Sequence, residues 1–170
     1  MQEKHLVCGI GNPLLKDDRA GIEVAEQLEG AIQGVATEVI YGVGFEVNDK
    51  IMGYDDVIIV DAAKMGHPPG TVLNVSVEDI FSDHKLASSH ALTLGSTLKV
   101  GYKLFPEAMP KKLSIILIEA EDYFEFTKKC SAHVTRAIEQ VIRLITQHFS
   151  TTCCSTTKHS CKEDFHENIF

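Results

Sequence analysis

The sequence predicts an α/β fold, and three observations predict it. Apolar runs alternate with amphipathic helical stretches along the 170 residues, the pattern of strand–helix units rather than of repeats or a bundle. The run Asp56-Val57-Ile58-Ile59-Val60 is continuously apolar after its first residue, as suits a strand buried on both faces. With 44% hydrophobic and 24% charged residues, the composition is that of a globular domain whose core needs no disulfide or metal staple.

Taken in order, residues 6–10 form a first short strand, stopped by Gly11-Asn12-Pro13. A helix follows from Asp18 to about Leu28, with Ala20, Val24, Ala25 and Leu28 near helical spacing and Gly30 just past its end. Residues 37–43 read as a second strand, rich in β-branched side chains and closed by Gly42 and Gly44. Residues 45–52 suit a short helix, residues 56–60 the central strand, His67-Pro68-Pro69-Gly70 a turn, and residues 71–77 another strand. A helix over residues 90–100 is introduced by Ser88 and Ser89 as N-caps. Residues 112–118 form a further central-type strand, and a long final helix, carrying Cys130, spans roughly residues 123–148. After Phe149 the composition turns to Ser, Thr, Cys and alternating charge, so residues 1–149 are expected to make one domain and residues 150–170 a flexible tail.

Sixteen Lys and Arg against 24 Asp and Glu leave a net charge of −8. Such a chain lacks the positive charge that sequence-independent binding to nucleic acid or anionic lipid requires, so neither is expected as a partner. No run approaches the ~18 apolar residues of a membrane span, and the first residues lack the apolar core and cleavage site of a signal peptide. Five cysteines, an odd number without a paired framework, point to a reducing cytoplasm.

Four groups carry chemistry. Gly9-Ile10-Gly11-Asn12-Pro13-Leu14 follows a strand, as a dinucleotide-binding turn does, but Leu14 stands where the third glycine belongs. The acids Asp17 and Asp18 would repel a pyrophosphate from the helix that follows. On its glycines alone the segment is a tight structural turn. Asp17 and Asp18 suit an N-cap and the helix dipole. One residue suffices for the cap, leaving the other for the carboxyl edge of the sheet, where open α/β folds place their sites. Asp61, after Val57-Ile58-Ile59-Val60, is either a loop-capping group or a site carboxylate at the tip of a central strand. His90, in Ser88-Ser89-His90-Ala91-Leu92, is either a surface histidine or a neutral imidazole at a helix start, where the dipole disfavours its protonation. Together Asp18, Asp61 and His90 offer two carboxylates and one imidazole at one edge, a set suited to a divalent transition metal. Neither H-E-x-x-H nor G-x-S-x-G occurs, so a standard zinc or serine hydrolase is not expected. Cys153, Cys154, His159, Cys161 and His166 form no C-x-x-C pair, and soft-metal binding in the tail is a minor reading. Cys8 reads as core, His5 and His67 as surface.

Gly9-Ile-Gly-Asn-Pro-Leu-Leu-Lys-Asp17-Asp18-Arg-Ala-Gly21-Ile-Glu-Val24, with Ile58-Ile59-Val60-Asp61-Ala62 and Ser88-Ser89-His90-Ala91-Leu92, resembles the three signature blocks of the nickel–iron hydrogenase maturation endopeptidases. The resemblance covers roughly residues 6–149. It implies a three-layer fold, a mostly parallel twisted sheet flanked by helices on both faces. It also implies one job: removing a short C-terminal extension from the precursor of a nickel–iron hydrogenase large subunit after nickel insertion. The family's metal-contacting positions fall on Asp18, Asp61 and His90, with Asp18 standing where the family often has Glu. Nickel then belongs to the substrate precursor, another divalent ion being able to replace it in a crystal. The three residues probe the nickel and act in cleavage, through a metal-polarised carbonyl or a water activated by Asp18 or Asp61.

Two departures bear on the substrate. Where many members carry a D-G-G-T-like loop, this chain has Tyr41-Gly42-Val43-Gly44-Phe45-Glu46, which implies a different hydrogenase subclass as partner. The Cys-rich tail also lies outside the pattern. A nickel-site checkpoint or chaperone that binds the precursor without cutting would share all three blocks. A nucleotide-dependent α/β enzyme is opposed by Leu14 and the acid pair.

Overall fold

The computed structural model describes residues 3–82 and 89–154, giving the backbone alone at 82, 89, 90 and 152–154. Five strands form one sheet: β1 His5–Ile10, β2 Val35–Ile40, β3 Asp56–Ala63, β4 Val72–Val75 and β5 Lys112–Glu119. Their order is β2-β1-β3-β5-β4, with every pair parallel except β4 on β5. Among the described residues five helices accompany them: α1 Ala20–Leu28, α2 Glu46–Ile51, α3 Val77–Ser82, α4 Ser89–Leu104 and α5 Ala132–Cys154. Among the described residues no helix is long and apolar enough to cross a membrane.

The central strands are apolar on both faces because both faces are covered. Along β3 the side chains alternate between two cores. Val57, Ile59 and Ala63 pack with α2 and α4, through Val47, Ile51, Ala91, Leu94 and Leu98. Ile58, Val60 and Ala62 pack with α1 and α5, through Val24, Leu28, Val134, Ile138 and Val141. This is the expected three-layer sheet. Its order reverses between β1, whose chain continues through α1 to β2, and β3 on the other side, so a crevice opens between their carboxyl ends.

Four of the differences from expectation bear on the site or the chain's ends. β2 ends at Ile40, and residues 41–44 are bends rather than strand. The expected strand over residues 71–77 is only Val72–Val75, and α3 takes up its end. There Asp79 accepts from the Ser76 N–H and hydroxyl at 2.7 Å, while the Asp79 N–H donates to the Ser76 hydroxyl at 3.1 Å, a reciprocal cap that starts the helix. The final helix begins at Ala132, not at Tyr123, because Asp17 holds the preceding loop in another shape. Cys130 therefore sits ahead of the helix. Finally, α5 continues to Cys154, past the expected helix end near His148. Ser88, His159, Cys161 and His166 lie outside the described residues.

Cys8 is core, as expected, and burial pushes its thiol up to about 12. His5 and His67 are half-buried rather than exposed, and His5 packs its ring on Phe149 with centroids 5.2 Å apart.

Candidate functional site

The glycine segment builds the crevice from close backbone approach. A Cβ on Gly9 would meet the Gly21 carbonyl oxygen at 2.1 Å, and one on Gly21 would meet the carbonyl oxygens of Val60 at 2.3 Å and Ile10 at 2.4 Å. Only paired glycines let α1 lie directly on β1 and β3. Gly11, at φ 152, leaves no room for a side chain below the Asp18 carbonyl. The segment is thus the structural turn that its glycines suggested, and it lifts the 3₁₀ turn Asp17–Arg19 over the end of β1.

The two acids of that turn do different work. Neither caps a helix: no side-chain cap bond is made at the start of the 3₁₀ turn or of α1. Asp17 is fully buried, and its Oδ1 accepts from Ser131 N at 2.7 Å. Its Oδ2 accepts from Glu121 N at 2.9 Å and Asp122 N at 3.0 Å. Asp18, also buried, is left beside the crevice.

Asp61 does not end its strand. It is the sixth residue of eight in β3, beyond the last pair with β1 at Gly9↔Val60, and completely buried. Alternation puts it on the face of Ile59 and Ala63, the α4 side. Its Oδ1 accepts from Ala62 N at 2.9 Å, while Oδ2 has no hydrogen-bond partner among the described residues. Burial first, and the charge of Asp18 second, raise its pKa to about 8, with the Ala62 N–H opposing them. These two buried acids repel each other as anions, so a shared proton or a bound cation relieves them.

His90 is the second residue of α4. Because α4 leads into β5, which is parallel to β3, the start of α4 lies at the carboxyl edge of the sheet, on the Asp61 side. The backbone therefore brings His90 to the edge that carries Asp18 and Asp61; its side chain lies outside the described ones. Among the described residues no three His, Cys, Asp or Glu side chains group to hold a metal.

Two further groups stand at this edge that the sequence reading passed over. Glu119, buried at the tip of β5, accepts from Met65 N at 2.9 Å and Gly66 N at 3.0 Å and so fixes the loop after β3. Its signal was the one that drew attention to Asp61, an acid at the end of an Ile-Leu-Ile run. Tyr123 is half-buried, and burial together with the charges of Asp61, Asp18, Glu119 and Asp17 keeps its phenol protonated. Around the edge, loops expose Leu14, Tyr41, Phe45, Phe124 and Phe126, the last two at 86% and 81%.

Residues 22–148 match the family model described as hydrogenase maturation protease. The chain belongs to the hydrogenase maturation protease family. It is 30% identical over 146 residues to the hydrogenase 2 maturation protease of Escherichia coli, spanning 81% of this chain and 87% of that one. A second relative, the hydrogenase expression/formation protein HupD of Thiocapsa roseopersicina, is 26% identical over 151 residues, 84% of this chain and 67% of that one. Among solved structures, the hydrogenase maturating endopeptidase HybD from Escherichia coli superposes with a TM-score of 0.70 at 26% identity, covering 88% of this chain and 93% of that one. The HybD protease from Thermococcus kodakarensis, at 24% identity and a TM-score of 0.67 over 85% of this chain and 98% of its own, shares the fold. In this chain the crevice between the carboxyl ends of β1 and β3 is flanked by the buried acids Asp18 and Asp61.

Proposed function

We propose that this protein is the endopeptidase that removes a short C-terminal extension from the nickel-loaded precursor of a nickel–iron hydrogenase large subunit, with Asp18, Asp61 and His90 probing the precursor's nickel. The observation that carries this reading is the Asp18–Asp61 pair: two buried carboxyls, with one Asp61 oxygen left without a described hydrogen-bond partner. Such a pair gains most from a divalent cation, and two oxygens with one imidazole leave coordination positions for ligands the substrate brings. The nickel is substrate here, held in the precursor's own site, and no resident cofactor is required.

In the cleavage step the carbon–nitrogen bond of the peptide breaks. Water's oxygen joins the carbonyl carbon, and its two protons end on the new amine and carboxyl groups. Either a carboxylate of the pair would take the water's proton as the attack begins, or the precursor's nickel would supply the polarisation of the carbonyl. Leu14, Phe124 and Phe126, exposed on loops beside the pair, supply an apolar surface for the precursor segment that flanks the cut. The protein's odd, unpaired cysteine count suits action in the reducing cytoplasm.

The test is incubation with hydrogenase large-subunit precursors of the same organism, each with and without nickel, reading the mass of the C-terminal fragment. Nickel-dependent release of one fragment, abolished in His90→Ala and in Asp18→Asn, is expected. Binding of the nickel-loaded precursor without release would instead make the protein a checkpoint that holds its partner uncut.

A further inference from the structure

Asp17 is bound to the loop of residues 120–131 by more than its own three acceptor bonds. Its backbone N–H donates to Asp122 O at 3.1 Å, and Lys16 N–H donates to Glu125 O at 2.9 Å. Leu15 and Phe126 form an isolated antiparallel bridge, Lys16 Nζ meets Glu125 Oε2 at 2.7 Å, and the Arg19 guanidinium donates to Lys128 O. The Cys130 thiol donates to Lys16 O at 3.4 Å. These bonds join segments more than 100 residues apart in sequence. The centre of the join is one fully buried carboxylate, adjacent in the chain to Asp18. A buried carboxylate fully used by three backbone N–H groups is a rigid fixture. The place of Asp18 hangs on it, while Phe126 keeps its own bridge to Leu15 and the Phe124 N–H its bond to Asp122 Oδ1.

We propose that Asp17 is the positioning residue of the site, a latch that sets Asp18 against Asp61 by tying the 3₁₀ turn to the loop after β5. This rests on the reading of Asp18 given above. Asp17 itself does not touch the substrate. Replacing it by Asn keeps one oxygen for the Glu121 and Asp122 N–H groups but turns an amide N–H₂ toward the Ser131 N–H. Replacing it by Ala removes every acceptor.

The experiment compares the full chain with its Asp17→Asn and Asp17→Ala variants on a nickel-loaded large-subunit precursor, with rates normalised to folded protein. The expected result is a fall in kcat of at least tenfold for Asn and more for Ala, with KM changed less than threefold because the apolar rim remains. Amide hydrogen exchange gives a readout that does not need activity. The Asn12 N–H donates to Asp18 O at 3.3 Å and makes no bond to Asp17. In Asp17→Asn it should exchange at least tenfold faster, together with Glu121, Asp122 and Ser131, while Ile58 and Ile59 in β3 stay unchanged. Wild-type kcat per folded molecule in Asp17→Asn would overturn the proposal, as would unchanged exchange at Asn12. A wild-type chain that cuts no precursor would overturn the peptidase reading instead and leave Asn12 exchange to decide the latch.

Discussion

A carboxyl whose pKa rises from 3.8 to about 8 on folding makes the native state bind more protons than the unfolded one throughout that interval. Stability contributed through Asp61 is therefore fully present below pH 4 and is lost as pH rises toward 8. Asp61→Asn removes the buried charge, keeps the oxygen that accepts from Ala62 N–H, and should stabilise the protein at pH 8 while changing it little near pH 4. Each kcal/mol gained raises Tm by about 2–4 °C in a chain of this size. Thermal unfolding of both proteins at the two pH values checks this, and an equal Tm difference at both would refute it. The sequence marks Asp61 only as an acid after four apolar residues; that it lies inside β3 and is completely buried is written in the structure alone. The division of labour between Asp17 and Asp18 was not legible either, since adjacent acids before a helix look alike until the chain shows which one meets the loop 120–131.

At the scale of elements, the crevice exists because α1 lies on β1 and β3 with nothing between the backbones. Gly9→Ala would force a Cβ to within 2.1 Å of the Gly21 carbonyl, where only a backbone shift can relieve it. Overpacking of this kind costs about 1–3 kcal/mol, and the shift would carry the 3₁₀ turn and Asp18 with it. Gly42→Ala, with open space around it, should leave stability within about 0.5 kcal/mol of wild type. Urea unfolding measures both, and a Gly9→Ala protein as stable as Gly42→Ala would mean that the helix is free to move. The strands and α1 were readable because buried periodicity is written in apolar residues. The start of α5 was not: Tyr123, Phe124 and Phe126 mimic a helix's apolar residues, yet Phe124 and Phe126 face solvent while hydrogen bonds to Asp17 shape their loop. The short helix α3 escaped notice because its signal is the Ser76–Asp79 cap rather than any periodicity.

For the molecule as a whole, charge and apolar surface are distributed to opposite ends of the recognition problem. The chain carries a net charge of −8, which suits approach to a partner bearing a divalent cation and opposes non-specific association with polyanions. Among the described residues the most exposed aromatic side chains, Phe124 and Phe126, sit on the loop that Asp17 fixes beside the acid pair. Large apolar side chains exposed at a site cost solubility unless a partner covers them. On the proposed function, a precursor segment docked there would be held by these rings while the acids met its nickel. The double variant Phe124→Ser, Phe126→Ser should therefore raise KM for the nickel-loaded precursor at least fivefold, leave kcat within twofold, and leave Tm unchanged because neither ring is in the core. That signature is opposite to the one expected of Asp17→Asn, in which kcat falls and KM holds. Steady-state cleavage kinetics of the two proteins side by side would separate gripping the precursor from placing the acid. An unchanged KM in the double variant would mean that the precursor docks elsewhere on the edge, through the loop that exposes Tyr41 and Phe45.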